Sequence, residues 1–183
     1  MQTTGSGIGK RIVVVGTSGS GKTTFATRLA EKLQVPRVEM DALHWEPNWV
    51  EAPLDVFRER LENALTADAW VVDGNYAKVR DILWQRADTI VWLDYPLHVV
   101  MSRLFIRTCR RSFLQEELWS GNKESWKTHL FTSDSIFLWA WTSYPRHRRD
   151  YPALFTQPEY VHLNVIRLTN PRQAEKLLAG LVI

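Results

Sequence analysis

Apolar residues along the chain fall into short β-branched runs, separated by stretches in which they recur every three or four positions. Arg11 to Val15 (RIVVV) ends at Gly16 and reads as a buried strand. Lys22 to Gln34 places Phe25, Leu29 and Leu33 four apart, which predicts an amphipathic helix. A short extended run, Arg37 to Met40, follows Pro36 and ends on Asp41, and Pro53 opens a helix whose Phe57, Leu61, Ala64 and Leu65 share a face. Trp70 to Val72 and Thr89 to Leu93 are two further strands, each stopping at an aspartate (Asp73, Asp94), with a helical stretch around Lys78 to Arg86 between them. The last strand is Tyr160 to Leu168, followed by Thr169-Asn170-Pro171 and a closing helix through Leu178. Strands alternating with helices predict an α/β fold of three layers, in which a mainly parallel five-stranded sheet is covered on both faces.

The middle of the chain breaks this rhythm. From Leu97 to Tyr151 no strand of the earlier kind appears, and helical pieces rich in Arg and Trp fill the interval. No repeat, low-complexity tract or linker sets this stretch apart, so residues 1–183 read as a single domain with a flexible leader over 1–10 and a helical lid-like insertion over about 97–151. The length suits one domain with a real core, since domains run to roughly 100–200 residues. Apolar residues make up 45% of the chain while Gly, Pro and Cys are not enriched, which excludes disordered, collagen-like and disulfide-framework classes. Cys109 has no partner for an internal disulfide, no apolar run reaches the ~18 residues of a membrane span, and residues 1–10 lack the apolar block of a signal peptide. A cytoplasmic protein without membrane attachment, monomeric or homodimeric, is the expectation. The net charge of +3 is unevenly placed: between Met101 and Asp150 there are nine Lys or Arg against five acids, so the surplus lies in the helical insertion and points to an anionic partner.

Gly16-Thr17-Ser18-Gly19-Ser20-Gly21-Lys22-Thr23 fits G-x-x-x-x-G-K-[ST], the Walker A phosphate loop, and lies between the first strand and the first helix as that motif requires. Glycines let the backbone curl so that successive N–H groups face phosphate oxygens, and the following helix N-terminus adds its dipole. Gly16, Thr17, Ser18, Gly19, Ser20, Gly21, Lys22, Thr23 and Thr24 are therefore the expected nucleotide contacts. Lys22 is expected to reach the β- and γ-phosphates and the Thr23 hydroxyl to ligate Mg²⁺. Asp73, at the end of a strand expected to neighbour the first, is the second Mg²⁺ carboxylate, although Asp-Gly also marks an ordinary turn.

The loop, the early parallel strands and the Arg-rich insertion resemble the nucleoside and nucleotide kinase branch of the P-loop proteins. Asp41-Ala42-Leu43-His44-Trp45, Trp49, Trp70-Val71-Val72-Asp73-Gly74-Asn75-Tyr76 and Ala87 to Asp94 more closely resemble the adenylate-kinase-like proteins often labelled DNA topology modulation proteins. The resemblance implies a phosphotransferase using ATP and Mg²⁺ on a small-molecule acceptor. It implies that Asp41 meets that acceptor, as general base or as an orienting group, with a helix-capping role the plainer alternative and His44 a packed neighbour or a helper. It also implies that Arg103 and Arg107, four apart on one helix face, hold the nucleotide, with Arg107 counted beside Lys22 and Asp41 as catalytic. Asn170 sits where the adenine edge meets the backbone in related kinases, and equally where a helix wants an N-cap. Asp94, followed by Tyr95-Pro96, reads as a turn residue. Adenylate kinases usually carry Gly-Phe-Pro-Arg where this chain has Gly74-Asn75-Tyr76-Ala77, so the Arg that would hold a monophosphate is missing there, and Arg80, on the following helix, is the candidate to stand in for it. Trp119, Trp126, Trp139 and Trp141 are expected to form the core of a small helical lid, or else a stacking platform for bases. The second function class is accordingly a nucleotide-binding regulatory protein acting on DNA topology or on nucleic acid, through Arg110, Arg111 and Arg146.

Overall fold

Successive apolar residues of the strands Arg11–Gly16, Trp70–Asp73 and Thr89–Leu93 are buried on alternate faces of the sheet, as their unbroken apolar runs demand. In the computed structural model, which describes residues 7–114, 117–122 and 135–181, Ile12 and Val14 pack on one face of the sheet while Val13 and Val15 pack on the other. Both faces are covered, so the run is apolar without interruption. β1 (Arg11–Gly16) leads through the phosphate loop into α1 (Lys22–Leu33). β2 (Arg37–Glu39), α2 (Met40–His44) and a two-stranded hairpin of β3 (Trp45–Glu46) and β4 (Val50–Glu51) follow, and then α3 (Leu54–Ala64). β5 (Trp70–Asp73), α4 (Arg80–Arg86) and β6 (Thr89–Leu93) complete the first half. α5 (Leu97–Leu114) and α6 (Ile136–Leu154) occupy the insertion, before β7 (Asn164–Leu168) and α7 (Pro171–Gly180).

The main sheet is five-stranded, ordered β2-β5-β1-β6-β7, and every pairing in it is parallel. On one face α1 and α7 contribute Phe25, Leu29, Ala174 and Leu178. On the other, α3 and α4 contribute Phe57, Leu61, Leu83 and Trp84, joined by Tyr151 from α6. Phe57 is 1% exposed, and truncation to Ala costs about 3–5 kcal/mol through lost transfer energy plus the cavity left behind. Parallel pairing brings the carboxyl ends of β1, β5 and β2 side by side: Val14 is opposite Asp73, and Asp73 is opposite Glu39. Ligands of open α/β sheets bind at this edge.

Two expected boundaries move. Met40 begins α2 instead of ending β2, because its side chain turns inward against Gly74, where a Cβ would sit 2.7 Å from Met40 Cβ. The last strand starts at Asn164, opposite Thr89, and not at Tyr160. Tyr160 closes a 3₁₀ turn begun by Pro158, giving its N–H to the Gln157 carbonyl and its ring to the edge of Trp84. Within the expected leader, the Gly9 N–H donates to Thr89 Oγ1 at 3.1 Å and the Lys10 N–H to Asp88 Oδ2 at 3.0 Å. Trp126, Lys123 and Lys127 lie outside the described residues, whereas Trp139 and Trp141 are more than half exposed and so do not form a lid core. The buried positions of α6 are Ala140, Ser143 and Tyr151, and Trp139 and Trp141 lie off that packed face.

Candidate functional site

Three left-handed glycines shape the phosphate loop. Gly16, Gly19 and Gly21 have φ of 151°, 86° and 91°, and a Cβ on Gly19 would lie 2.7 Å from the Val100 carbonyl. Asn75, just past β5, clamps the loop's entry: the Gly16 N–H donates to Asn75 Oδ1 at 3.1 Å, and Asn75 Nδ2 donates back to the Gly16 carbonyl. α1 begins after Gly21 with no side-chain cap, so its first N–H groups are available to an anion. Ser20 Oγ is buried with no hydrogen-bond partner among the described residues. A concave backbone, uncapped amides and an orphaned hydroxyl fit a polyphosphate.

Lys22 is half-buried, with Nζ donating to the Thr17 carbonyl at 3.3 Å. Desolvation pulls its pKa down to about 8, with Asp41 and then Asp73 opposing the fall and Arg107 adding to it. One ammonium thus feels both carboxylates and the Arg of the insertion. Asp73 is 4% exposed; it accepts from the Thr23 hydroxyl and, at 3.2 Å, from Arg37 Nη1, while burial raises its pKa. Thr23 and Asp73, the residues expected to hold Mg²⁺, are therefore in contact. Among the described residues no group of three or more His, Cys, Asp or Glu could hold a metal unaided. The pair instead suits an ion that keeps phosphate and water as its other ligands, which is the habit of Mg²⁺.

Arg103 reaches the loop from α5: Nη1 donates to the Ser20 carbonyl at 3.1 Å, and the guanidinium stands 5.4 Å above the Tyr95 ring. Arg107, one turn further on, is close enough to Lys22 to weigh on its charge. Asn170 caps α7, accepting the Gln173 N–H at 3.0 Å. Asp94 is buried at the end of β6 and holds two arginines, Arg167 of β7 with Nε at 2.9 Å and Arg148 of α6 with Nε at 3.1 Å, so it anchors the insertion as well as making a turn.

Asp41 stands across from the phosphate loop on α2. The Tyr76 hydroxyl donates to Asp41 Oδ1 at 2.5 Å and in turn accepts from the Trp45 side chain. Burial, then the neighbouring Asp41 charge, pushes the Tyr76 phenol well above its usual range and keeps it a donor. His44 packs among Trp45, Phe57 and Tyr76, with ring centroids 4.5–4.9 Å away, and burial lowers its pKa. A small cleft beside Tyr76 is lined by Asn75, Arg80, Trp84 and Tyr151, so Arg80 shares that cleft with Tyr76. His147 enters from α6 with Nδ1 3.4 Å from Thr17 Oγ1. Sequence reasoning passed over Asn75 and Tyr76 as functional groups and missed His147 and Arg37. Asn75 carries a readable signal, a polar residue directly after a strand-end Asp-Gly, but His147 stands between two arginines that claimed the attention.

Residues 12–93, from β1 to the end of β6, match the family model described as an AAA domain. Two curated relatives align with about half of the chain. An adenylate kinase 2 of Nostoc sp. is 27% identical over 123 residues, 51% of this chain, and a shikimate kinase of Sulfurihydrogenibium sp. is 32% identical over 111 residues, 52% of this chain. The matched stretch spans 66% of each relative's length. Among solved structures, a shikimate kinase from Bacteroides thetaiotaomicron superposes with a TM-score of 0.53 at 16% identity, over 93% of this chain and 94% of that one. The fold is that of the shikimate-kinase-like P-loop proteins. A gluconokinase from Sinorhizobium meliloti 1021 superposes similarly, with a TM-score of 0.52 at 20% identity over 95% of this chain and 94% of its own. In this P-loop fold the loop after β1, the carboxylate ending β5 and the helices of the insertion face one another, as the geometry above describes. No helix among the described residues is long and apolar enough to cross a membrane.

Proposed function

We propose that the protein is a P-loop small-molecule kinase of the adenylate-kinase-like type, moving the terminal phosphoryl group of ATP to the hydroxyl of a small acceptor. The observation that carries this reading is Lys22, seated in a glycine-shaped loop and coupled at once to Asp73 on the metal side and Asp41 on the acceptor side. The loop amides and Lys22 hold the phosphates, Thr23 and Asp73 hold Mg²⁺, and Arg103 and Arg107 neutralise charge from the insertion. Bound Mg²⁺ supplies positive charge to the phosphate oxygens. The acceptor oxygen bonds to the terminal phosphorus as the bond from that phosphorus to its bridging oxygen breaks, ADP departs, and the hydroxyl proton passes to Asp41. Tyr76 occupies Oδ1 of Asp41, which leaves Oδ2 for the acceptor hydroxyl.

The relatives are an adenylate kinase, shikimate kinases and a gluconokinase, whose acceptors differ, so the acceptor is sought experimentally. ADP release is to be screened over nucleosides, nucleoside monophosphates and small hydroxylated metabolites, shikimate among them. The reading predicts stimulation by one acceptor class, with Lys22→Ala inactive; equal ADP release by Lys22→Ala would sink it.

A second reading, a nucleotide-binding regulator of the DNA topology modulation kind, draws on the exposed Trp139 and Trp141 and on Arg146, whose guanidinium lies 5.2 Å above Trp139. It predicts DNA or RNA binding with a steep salt slope, abolished when Arg110, Arg111 and Arg146 are neutralised together; no binding at low salt eliminates it.

A further inference from the structure

His147 lies on the inward side of α6, half-buried, and two contacts fix its ring. It stacks face to face on Tyr151, with centroids 5.0 Å apart and planes 8° from parallel, and Nδ1 meets Thr17 Oγ1 at 3.4 Å. Thr17 is the second residue of the phosphate loop, next to the Gly16 that Asn75 clamps, and the acceptor-side cleft begins at Asn75 and runs to Arg80 and Tyr151. The imidazole therefore stands where the loop gives way to the acceptor cleft.

The charges around the ring are unbalanced. Lys22 from α1, Arg80 from α4 and Arg146 from α6 face it with positive charge, against Asp150 alone on the negative side. Burial and these cations hold the ring neutral, with its pKa pulled down to about 4. Nε2 makes no hydrogen bond among the described residues. A neutral imidazole with one nitrogen uncommitted, inside a positive surplus, is arranged to meet an anion and to gain a proton from doing so.

We propose that His147 is a phosphate-contacting residue, supplied by α6 to the terminal phosphoryl group of the bound nucleoside triphosphate, with Thr17 orienting the ring. This inference rests on the ATP reading above. It separates the terminal phosphate from the inner two, which the loop amides and Lys22 serve.

The test is calorimetric titration, with Mg²⁺ present, of ADP and of the non-hydrolysable triphosphate AMP-PNP into wild type, His147→Ala and His147→Gln. A lost charge-assisted hydrogen bond corresponds to roughly ten-fold or more in affinity. The expected result is that His147→Ala weakens AMP-PNP by about that factor, leaves ADP within about two-fold, and that the Gln variant, which restores a donor, recovers part of the loss. Unchanged ADP binding also shows that the variant is folded. Equal weakening of both nucleotides, or of neither, overturns the proposal. Should wild type bind neither nucleotide, the kinase reading itself fails, and His147 with it.

Discussion

Asn75 exchanges two hydrogen bonds with the Gly16 backbone, so Asn75→Ala leaves a loop N–H and a carbonyl without their partner. Such losses cost about 1–3 kcal/mol, and urea denaturation should report that destabilisation together with weaker nucleotide binding. Lys22 behaves oppositely. Its pKa is about 8 in the folded protein against 10.5 in the unfolded chain, so between those values the unfolded chain holds a proton that the folded one lacks. Stability of the nucleotide-free protein therefore rises with pH across that window, and below it the buried ammonium is a burden. Lys22→Met should keep or raise the melting temperature of the free protein while abolishing ATP binding. For His147 the corresponding window runs from about 4 to 6.5, where acidification favours unfolding by up to about 3 kcal/mol. His147→Gln should flatten the pH dependence of the melting temperature between those limits, and an unchanged slope would contradict the assigned burial. At this scale the phosphate loop was readable because its chemistry is compressed into eight consecutive residues. The partners of Asp41 and Thr17 were not, since Tyr76 and His147 lie 35 and 130 residues away in sequence and meet them only through the fold.

Among the elements, α6 depends on Asp94. This carboxylate, 5% exposed at the end of β6, joins Arg167 of β7 to Arg148 of α6, and Arg148 adjoins His147. Asp94→Ala removes the anion from between two cations, a change that costs about 3–5 kcal/mol when the partners stay buried and less here because both arginines are nearly half exposed. Faster amide exchange in α6 than in β1 or β5 is the expected signature, and equal acceleration throughout would show that Asp94 acts on global stability alone. Strand and helix positions were legible wherever an apolar period met a Gly, Pro or Asp stop, as for β1, α1, β5 and β6, while α2 and the β3–β4 hairpin carried no such signal. Boundaries failed where tertiary packing overrode the local pattern. Met40 looks like the end of a strand until Gly74 makes room for its side chain, and Tyr160 looks like the start of one until Trp84 captures its ring. The indoles of α6 misled for a related reason: their large apolar area argues for burial, while the face of α6 that packs is the one carrying Ala140, Ser143 and Tyr151.

Across the whole molecule, β1 in the middle of the sheet sets the geometry. Its neighbours β5 and β6 deliver Asp73 and Asp94 to the same edge, β2 brings Asp41 alongside, and the insertion returns Arg103, Arg107 and His147 to the loop that leaves β1. The surplus positive charge of residues 101–150 is in part spent on internal pairing, as Arg148 with Asp94 and Arg149 with Asp150 show, and in part directed at the phosphate loop. Parallel pairing, and β5 as a neighbour of β1, followed from the alternation of elements, because crossover connections permit few alternatives. Identity of the acceptor did not, and the cleft beside Tyr76 is lined by residues of β1, the segment after β5, α4 and α6 that only the fold brings together. The central claim is phosphoryl transfer to a small hydroxyl compound through Lys22 and Asp41. Phosphorus-31 NMR of the protein with MgATP and a pool of nucleosides, nucleoside monophosphates and hydroxylated acids tests it most directly. The account predicts a new phosphate-ester resonance growing with ADP, absent for Lys22→Ala and reduced at least about a hundred-fold in rate for Asp41→Asn. Inorganic phosphate as the sole new product, or an ester that forms equally well with Lys22→Ala, would contradict it.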